Sequence, residues 1–242
     1  MLDTFCQVVT IPKLLDISAE HSHLVALAIK SREFRLFALK ESPGAFASSY
    51  EDETQRGLDH TIERLTNDKA TAFVAISTDH GMECDAVHGA DVDTFVESEW
   101  LGFIVLLGPQ TSSNTSAKAD PFNSLTAAGV TRENNREMGY VHFHLNGMFV
   151  HPSARRLGLG VRLIKAALEN ARIIAARSEN GIHCTIIVDE WNQGAKRLYE
   201  RCGFHVACKE TYGKDRIALR MELRQPAQGE KGGCEGAKII GA

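Results

Sequence analysis

The stretch M-F-V-H-P-S-A-R-R-L-G-L-G-V, residues 148–161, decides how the rest of the chain is read. Apolar residues run to Val150 and stop at Pro152. Arg155 and Arg156 follow, then Gly158 and Gly160 one residue apart. From Val161 to Ala176 the apolar spacing is that of an amphipathic helix. A strand that passes through a Gly-rich, basic turn into a helix can hold a pyrophosphate. Glycine lets the backbone approach the ligand, and the first N–H groups of the helix point at it. The helix dipole favours the negative charge, and the arginine pair neutralises more of it. Taken alone, the segment also fits a plain strand–turn–helix.

Working outward, residues 140–150 read as the strand that enters this turn, and 182–188 (I-H-C-T-I-I-V) as a strand covered on both faces. Residues 193–201 form a short helix whose Ala195, Leu198, Tyr199 and Cys202 fall on one side. Asn192 stands at its N-cap and Gly203 just past its end. Residues 204–209 and 215–223 read as two closing strands. Towards the N-terminus, 5–11 is a strand, 22–40 a helix with Leu24, Leu27, Ala28, Phe34, Phe37 and Ala38 inward, and 51–67 a second, polar helix. Pro43 and Gly44 stop the first helix. Residues 70–77 and 100–107 are strands. Two polar stretches, about 79–99 and 108–137, exceed ordinary loop length and read as insertions on one domain. A short helix near 122–128 is weakly signalled. The expected fold is α/β (α+β), a mixed, mostly antiparallel central sheet with helices on both faces. It occupies residues 1–223, and the Gly-rich tail 224–242 is expected to be disordered.

Composition bounds the function. The chain has 242 residues, 43% hydrophobic and 24% charged, enough for one sizeable domain. A net charge of −4 argues against a general nucleic-acid binder, so the arginine pair is a local feature. Cysteines at 6, 84, 184, 202, 208 and 234 form no C-x-x-C pair and suggest neither a disulfide framework nor a zinc site. With no apolar run of about 18 residues and no signal-like N-terminus, a cytoplasmic protein with no membrane partner is expected, the nucleus remaining open.

At this point R-R-L-G-L-G after M-F-V-H-P-S-A resembles the Q/R-x-x-G-x-G/A signature of the GNAT superfamily of N-acetyltransferases. The segment W-N-Q-G-A-K-R-L-Y-E-R-C-G-F (191–204) is similar to the second GNAT signature, N-x-x-A-x-x-L-Y-x-x-x-G-F. The segment 39–53 also resembles the first helix–loop–helix of many members. The two signatures lie in the right order with a strand between them, and the resemblance covers roughly residues 5–223 apart from the insertions.

The resemblance implies acetyl-CoA as co-substrate, held between the strand ending near Val150 and the one beginning near Ile182, with no metal. Met148, Phe149 and Val150 would offer backbone groups to the pantetheine arm. Arg155, Arg156, Leu157, Gly158, Leu159, Gly160 and Val161 would wrap the pyrophosphate. Asn192 and Ala195 would lie along the arm, Asn192 serving equally as a helix cap. Tyr199 matches the position whose hydroxyl protonates the departing thiolate, though an aromatic core residue reads the same way.

An amine must lose a proton before it attacks, so a base is needed. Some members carry Glu six residues before the position of Val150; here it is His144, whose chemistry suits the task near neutral pH. By period two, His142, His144, Asn146 and Met148 share a face. The histidines could instead be polar residues of a wet groove, or two ligands of a metal site for which no further ligands are evident. Glu190 is a second base candidate or a solvated acid. Acceptor contacts would come from Ser42, Pro43, Phe46, Tyr50, His142 and Tyr212. The acceptor is a small-molecule or peptide amine, the former slightly favoured, and the protein a monomer or homodimer. A non-catalytic CoA-binding module of the same fold is the competing reading.

Overall fold

The computed structural model describes residues 5–13, 21–78, 92–110, 139–212 and 216–227. Seven strands form one sheet in the order β1-β2-β3-β4-β5-β7-β6. They are β1 (Phe5–Thr10), β2 (Ala70–Thr78), β3 (Trp100–Gln110), β4 (Tyr140–Val150), β5 (Gly181–Asp189), β6 (His205–Tyr212) and β7 (Arg216–Gln225). Every neighbouring pair is antiparallel except β4 and β5, which are parallel. The helices are α1 (His21–Glu41), α2 (Tyr50–Gln55), α3 (Leu58–Thr66), α4 (Val92–Glu97), α5 (Leu159–Ala176) and α6 (Gln193–Arg201). The mixed sheet with helices on both faces is the architecture expected from the sequence.

The two faces have separate cores. On one, α5 buries Leu159, Leu163, Ile164, Ala167, Leu168, Ala171 and Ala175, a helical stripe set against Phe73, Ile104, Leu145 and Ile186. On the other, α1, α3 and α4 cover Val74, Ile76 and Trp100 with Leu24, Leu27, Leu65 and Phe95. Alternate residues of β2 feed the two cores, Phe73 and Ala75 to one and Val74 and Ile76 to the other. That is why the strand reads as a continuous apolar run. Each fully buried Leu or Ile here contributes roughly 1.5–3 kcal/mol over its exposed state.

Several local expectations need correction. The helix expected over 51–67 is two helices, because Arg56 and Gly57 take extended conformations and Gly57 caps α3. The stretch 79–99 is not all loop: residues 92–97 are helical, with Phe95 fully buried and its carbonyl accepting the Trp100 indole N–H at 2.8 Å. β3 runs on to Gln110 and β7 to Gln225, past the expected domain limit at 223. The remainder of both insertions, the helix near 122–128 and the tail from 228 onward lie outside the described residues.

The largest correction concerns β4. Val105 pairs with Asn146 but Phe103 pairs with Phe149, so two residues, Gly147 and Met148, stand opposite Ile104. This is a β-bulge, and Gly147 occupies it at φ +65°, where a Cβ would be strained. The extra residue reverses which side each following side chain faces. Met148 packs into the α5 core instead of sharing a face with His142, His144 and Asn146. Phe149 turns the other way, its ring against Phe34 (5.7 Å between centroids) and Phe37 (6.1 Å) of α1.

Candidate active site

The parallel pairing of β4 with β5 ends at Leu145–Ile186, although both strands continue, to Val150 and Asp189. Beyond that point the bulge carries β4 away from β5, and a cleft opens in the sheet. Gly147, Met148, Ile186, Ile187 and Tyr199 line it, with Ala45 and Phe46 from the loop after α1. Backbone groups at the parted strand ends are exposed to an extended ligand in the way a sheet edge is.

At the outer end of β4 lies the basic turn. Arg156 (φ +67°) and Gly158 (φ +78°) are both left-handed, and Gly158 is the N-cap of α5. The first helical hydrogen bond is from Arg162 N–H to the Gly158 carbonyl at 3.1 Å, so the N–H groups of Leu159, Gly160 and Val161 stand ahead of the helix ladder. The two glycines serve different ends. A Cβ on Gly158 would meet nothing, and its backbone angle is what glycine supplies. A Cβ on Gly160 would come within 2.9 Å of Leu198 Cδ2 and 3.3 Å of Met148 Cε, so its small size seats α5 against α6 and β4. Arg155 turns back: its Nε donates to the Val150 carbonyl at 3.1 Å and its guanidinium lies 5.8 Å from the centre of the Phe149 ring. Arg156, Leu157 and Arg162 are exposed around the turn, and its charge and free donors suit an anionic ligand.

Asn192 caps α6, its side-chain oxygen accepting Ala195 N–H at 3.1 Å. Tyr199, on the inner side of α6, is 5% exposed at the cleft. Burial raises the Tyr199 phenol well above a tyrosine's usual value, with Cys202 adding to the effect. The hydroxyl therefore holds its proton at neutral pH, as a proton donor must.

The other expected residues fall around this centre unequally. His144 is 2% exposed, its Nδ1 2.9 Å from Thr185 Oγ1, and it lines neither the cleft nor the cavity below. His142 faces His183, Nδ1 to Nδ1 at 3.1 Å, while His183 Nε2 lies 3.0 Å from Glu222. Among the described residues no group of three or more His, Cys, Asp or Glu is placed to hold a metal. Glu190 is ion-paired with Lys209 away from the cleft. Ser42 and Pro43 begin the loop that carries Phe46, but do not line the cavities, and Tyr50 opens α2 in an exposed position. The Tyr212 side chain lies outside the described residues.

Three features escaped the sequence reading. The first is the bulge, signalled only by a lone glycine inside a strand pattern. The second is a strap: the Arg216 guanidinium joins the Asp189 carboxylate to the Gly44 carbonyl, fixing the loop that holds Phe46 over the cleft. The third is a larger cavity of about 160 Å³ on the α1 side of the sheet, walled mainly by apolar residues of α1, α3, β2 and β3. Phe46, Asn146 and Gly147 line this cavity and the cleft alike, so the two adjoin at the bulge.

The charged groups in the cavity wall are Lys13, Arg35 and Arg64. Behind them Glu53, 2% exposed, meets Arg35 Nε at 3.1 Å, Arg64 Nη1 at 2.5 Å and Arg56 Nη1 at 3.9 Å. Burial alone would raise the Glu53 carboxyl, but the Arg64 hydrogen bond and the charges of Arg35 and Arg64 hold it below the usual carboxylate range. Lys13 donates to the Leu65 and Asn67 carbonyls at the end of α3. Burial pulls its ammonium below a lysine's ordinary value, partly offset by Asp68.

Comparison with known proteins agrees with this geometry. Residues 94–204 match the family model "Acetyltransferase (GNAT) family". No curated protein matches the chain. Solved structures share the fold: a proposed acetyltransferase from Acinetobacter baylyi (14% identity, 94% of this chain and 96% of that one, TM-score 0.54). YncA from Salmonella typhimurium, a proposed acetyltransferase solved with acetyl-CoA, aligns at 14% identity over 91% of this chain and 94% of its own, TM-score 0.50. Arabidopsis thaliana NAA60 with a bisubstrate analogue aligns at 13% identity over 90% and 98%, TM-score 0.50. Residues 94–204 thus resemble a GNAT-family acetyltransferase domain, and the chain shares its fold with a proposed acetyltransferase solved with acetyl-CoA.

Proposed function

We propose that the protein is an N-acetyltransferase that moves the acetyl group of acetyl-CoA to a primary amine by direct attack in a ternary complex. The observation that carries this reading is the adjacency of two cavities at the bulge, one bordered by Met148 and Tyr199, the other open to a second ligand. Both substrates then have room at once, which a direct transfer requires. The pantetheine arm lies between β4 and β5, and the pyrophosphate sits on the N–H groups at the start of α5. The backbone of Met148, Phe149 and Val150 and the side of α6 at Asn192 and Ala195 flank the arm.

The amine nitrogen attacks the thioester carbonyl carbon, whose electron pair moves to oxygen and is stabilised by a backbone N–H near Phe149 or Val150. The intermediate collapses, the C–S bond breaks, and Tyr199 gives its proton to the sulfur. The proton lost by nitrogen leaves to water in the cavity, since His144, buried against Thr185, lines neither cavity and does not reach the amine directly. Among the described residues no helix is long and apolar enough to cross a membrane. We place the protein in the cytoplasm, acting on a small amine.

The test is CoA-thiol release with a broad amine panel, beside calorimetry with CoA. Tyr199→Phe should bind acetyl-CoA with little change and lose roughly 100-fold or more in kcat. Absence of CoA binding overturns the proposal. Binding without turnover on any amine favours the non-catalytic module instead.

A further inference from the structure

We infer that the acceptor is an elongated amine with an anionic far end, its nitrogen and its carboxylate-like group separated by an apolar body. This deepens the acetyltransferase reading and rests on it. The amine end is set by the bulge, where the larger cavity meets the cleft at Asn146 and Gly147. From there the cavity crosses β3 at Phe103, Val105 and Leu107 and reaches β2 at Ala70 and Ala72. With neighbouring strands about 4.8 Å apart, β4 to β2 spans roughly 10 Å. The floor between is apolar and offers nothing to a charged middle.

The wall is cationic. Among the described residues lining the cavity, Lys13, Arg35 and Arg64 carry charge and none is acidic. The carboxylate behind them is already committed, since Glu53 faces three guanidiniums at once. One negative charge against three leaves that side of the wall positive. Lys13 stands just beyond β1, where the Ile11 N–H bonds the Ala72 carbonyl, so it marks the β2 end of the cavity. Its ammonium has three donors, and the two α3 carbonyls take two of them. A carboxylate arriving there gains charge-assisted hydrogen bonds. A second ammonium meets the like charge of Lys13 and finds no carboxylate in the cavity wall, Asp68 acting on Lys13 from outside that wall. Polycationic amines are therefore poor acceptors, and an amine bearing a distal acid is a good one.

Three amines of equal length separate these outcomes: 8-aminooctanoate, octylamine and 1,8-diaminooctane, which place a carboxylate, a methyl and an ammonium at the far end. The kcat/KM for acetyl transfer should fall in that order, with about tenfold between the carboxylate and the methyl, mainly in KM. Lys13→Gln and Arg64→Gln should each shrink the ratio of 8-aminooctanoate to octylamine. A purely structural loss would lower both substrates alike and leave the ratio unchanged. Equal rates for the three, or preference for the diamine, overturn the inference while leaving acetyl transfer intact. Should no amine be acetylated, calorimetry of the same three ligands against the CoA-loaded protein still reads the cavity. Tighter binding of 8-aminooctanoate sustains the anionic end, and indifference to the end group overturns it.

Discussion

The sides proposed here for donor and acceptor are built in opposite ways. The donor side is one continuous run, β4 through α6, residues 140–201, in which each element hands the chain to the next. The acceptor side is gathered from Lys13, Arg35, Phe46, Arg64, Ala72 and Val105, residues that meet only once the sheet is formed. A ligand common to a whole family can be held by a short local device: a cap, a left-handed turn, a missing Cβ. A ligand particular to one chain is read by a surface drawn from distant segments, with no spacing to announce it.

The comparison can be broken from either side. The largest effect is expected for Glu53→Gln on the acceptor face. It removes the carboxylate that Arg35 and Arg64 share and should cost about 3 kcal/mol of stability in urea unfolding at pH 7. The pH dependence gives a second reading. Because the folded carboxyl is held below its usual 4.5, its stabilisation is full above that value and is lost as pH falls through the lower, folded one. The gap between wild type and variant should therefore close in acid. A gap that stays constant below pH 4 would show that Glu53 acts through packing.

Gly160→Val tests the donor side. A side chain at that position meets the ends of Leu198 and Met148, so these side chains must repack where α6 meets α5, at roughly 1–3 kcal/mol. CoA affinity by calorimetry should weaken by about tenfold or more, while a ligand confined to the acceptor cavity binds as before. Loss of both together would mean that the two sides are one unit. The smallest effect is expected for Asn192→Ala, which removes the α6 cap and should lower stability by about 1 kcal/mol by thermal unfolding. A much larger loss of CoA affinity than of stability would separate a ligand contact from the cap.

Legibility followed the same division. The limits of β4 and α6 were readable to the residue, because a strand closed by Pro152 and a helix with both caps carry their signals within themselves. The break at Gly57 was not, since the polar residues on either side of it are equally good helix formers. The helix at 92–97 was hidden in an acidic stretch whose one deep anchor, Phe95, has its partners on α1 and β3. Glu53 read as one acid among several in a polar helix. Only the arginines brought to it by α1 and α3 make it a buried centre of charge.

The bulge at Gly147 also sets a rule for anyone who rewrites this strand. Side chains from 140 to 146 and from 148 to 150 follow opposite parities, so a library that alternates polar and apolar codons straight through β4 would turn one half inside out. Deleting Gly147 would restore a single parity with the Phe149 ring still in its layer, and would take away the bend at which β4 parts from β5. The strand is best treated as two separate reading frames joined at a glycine.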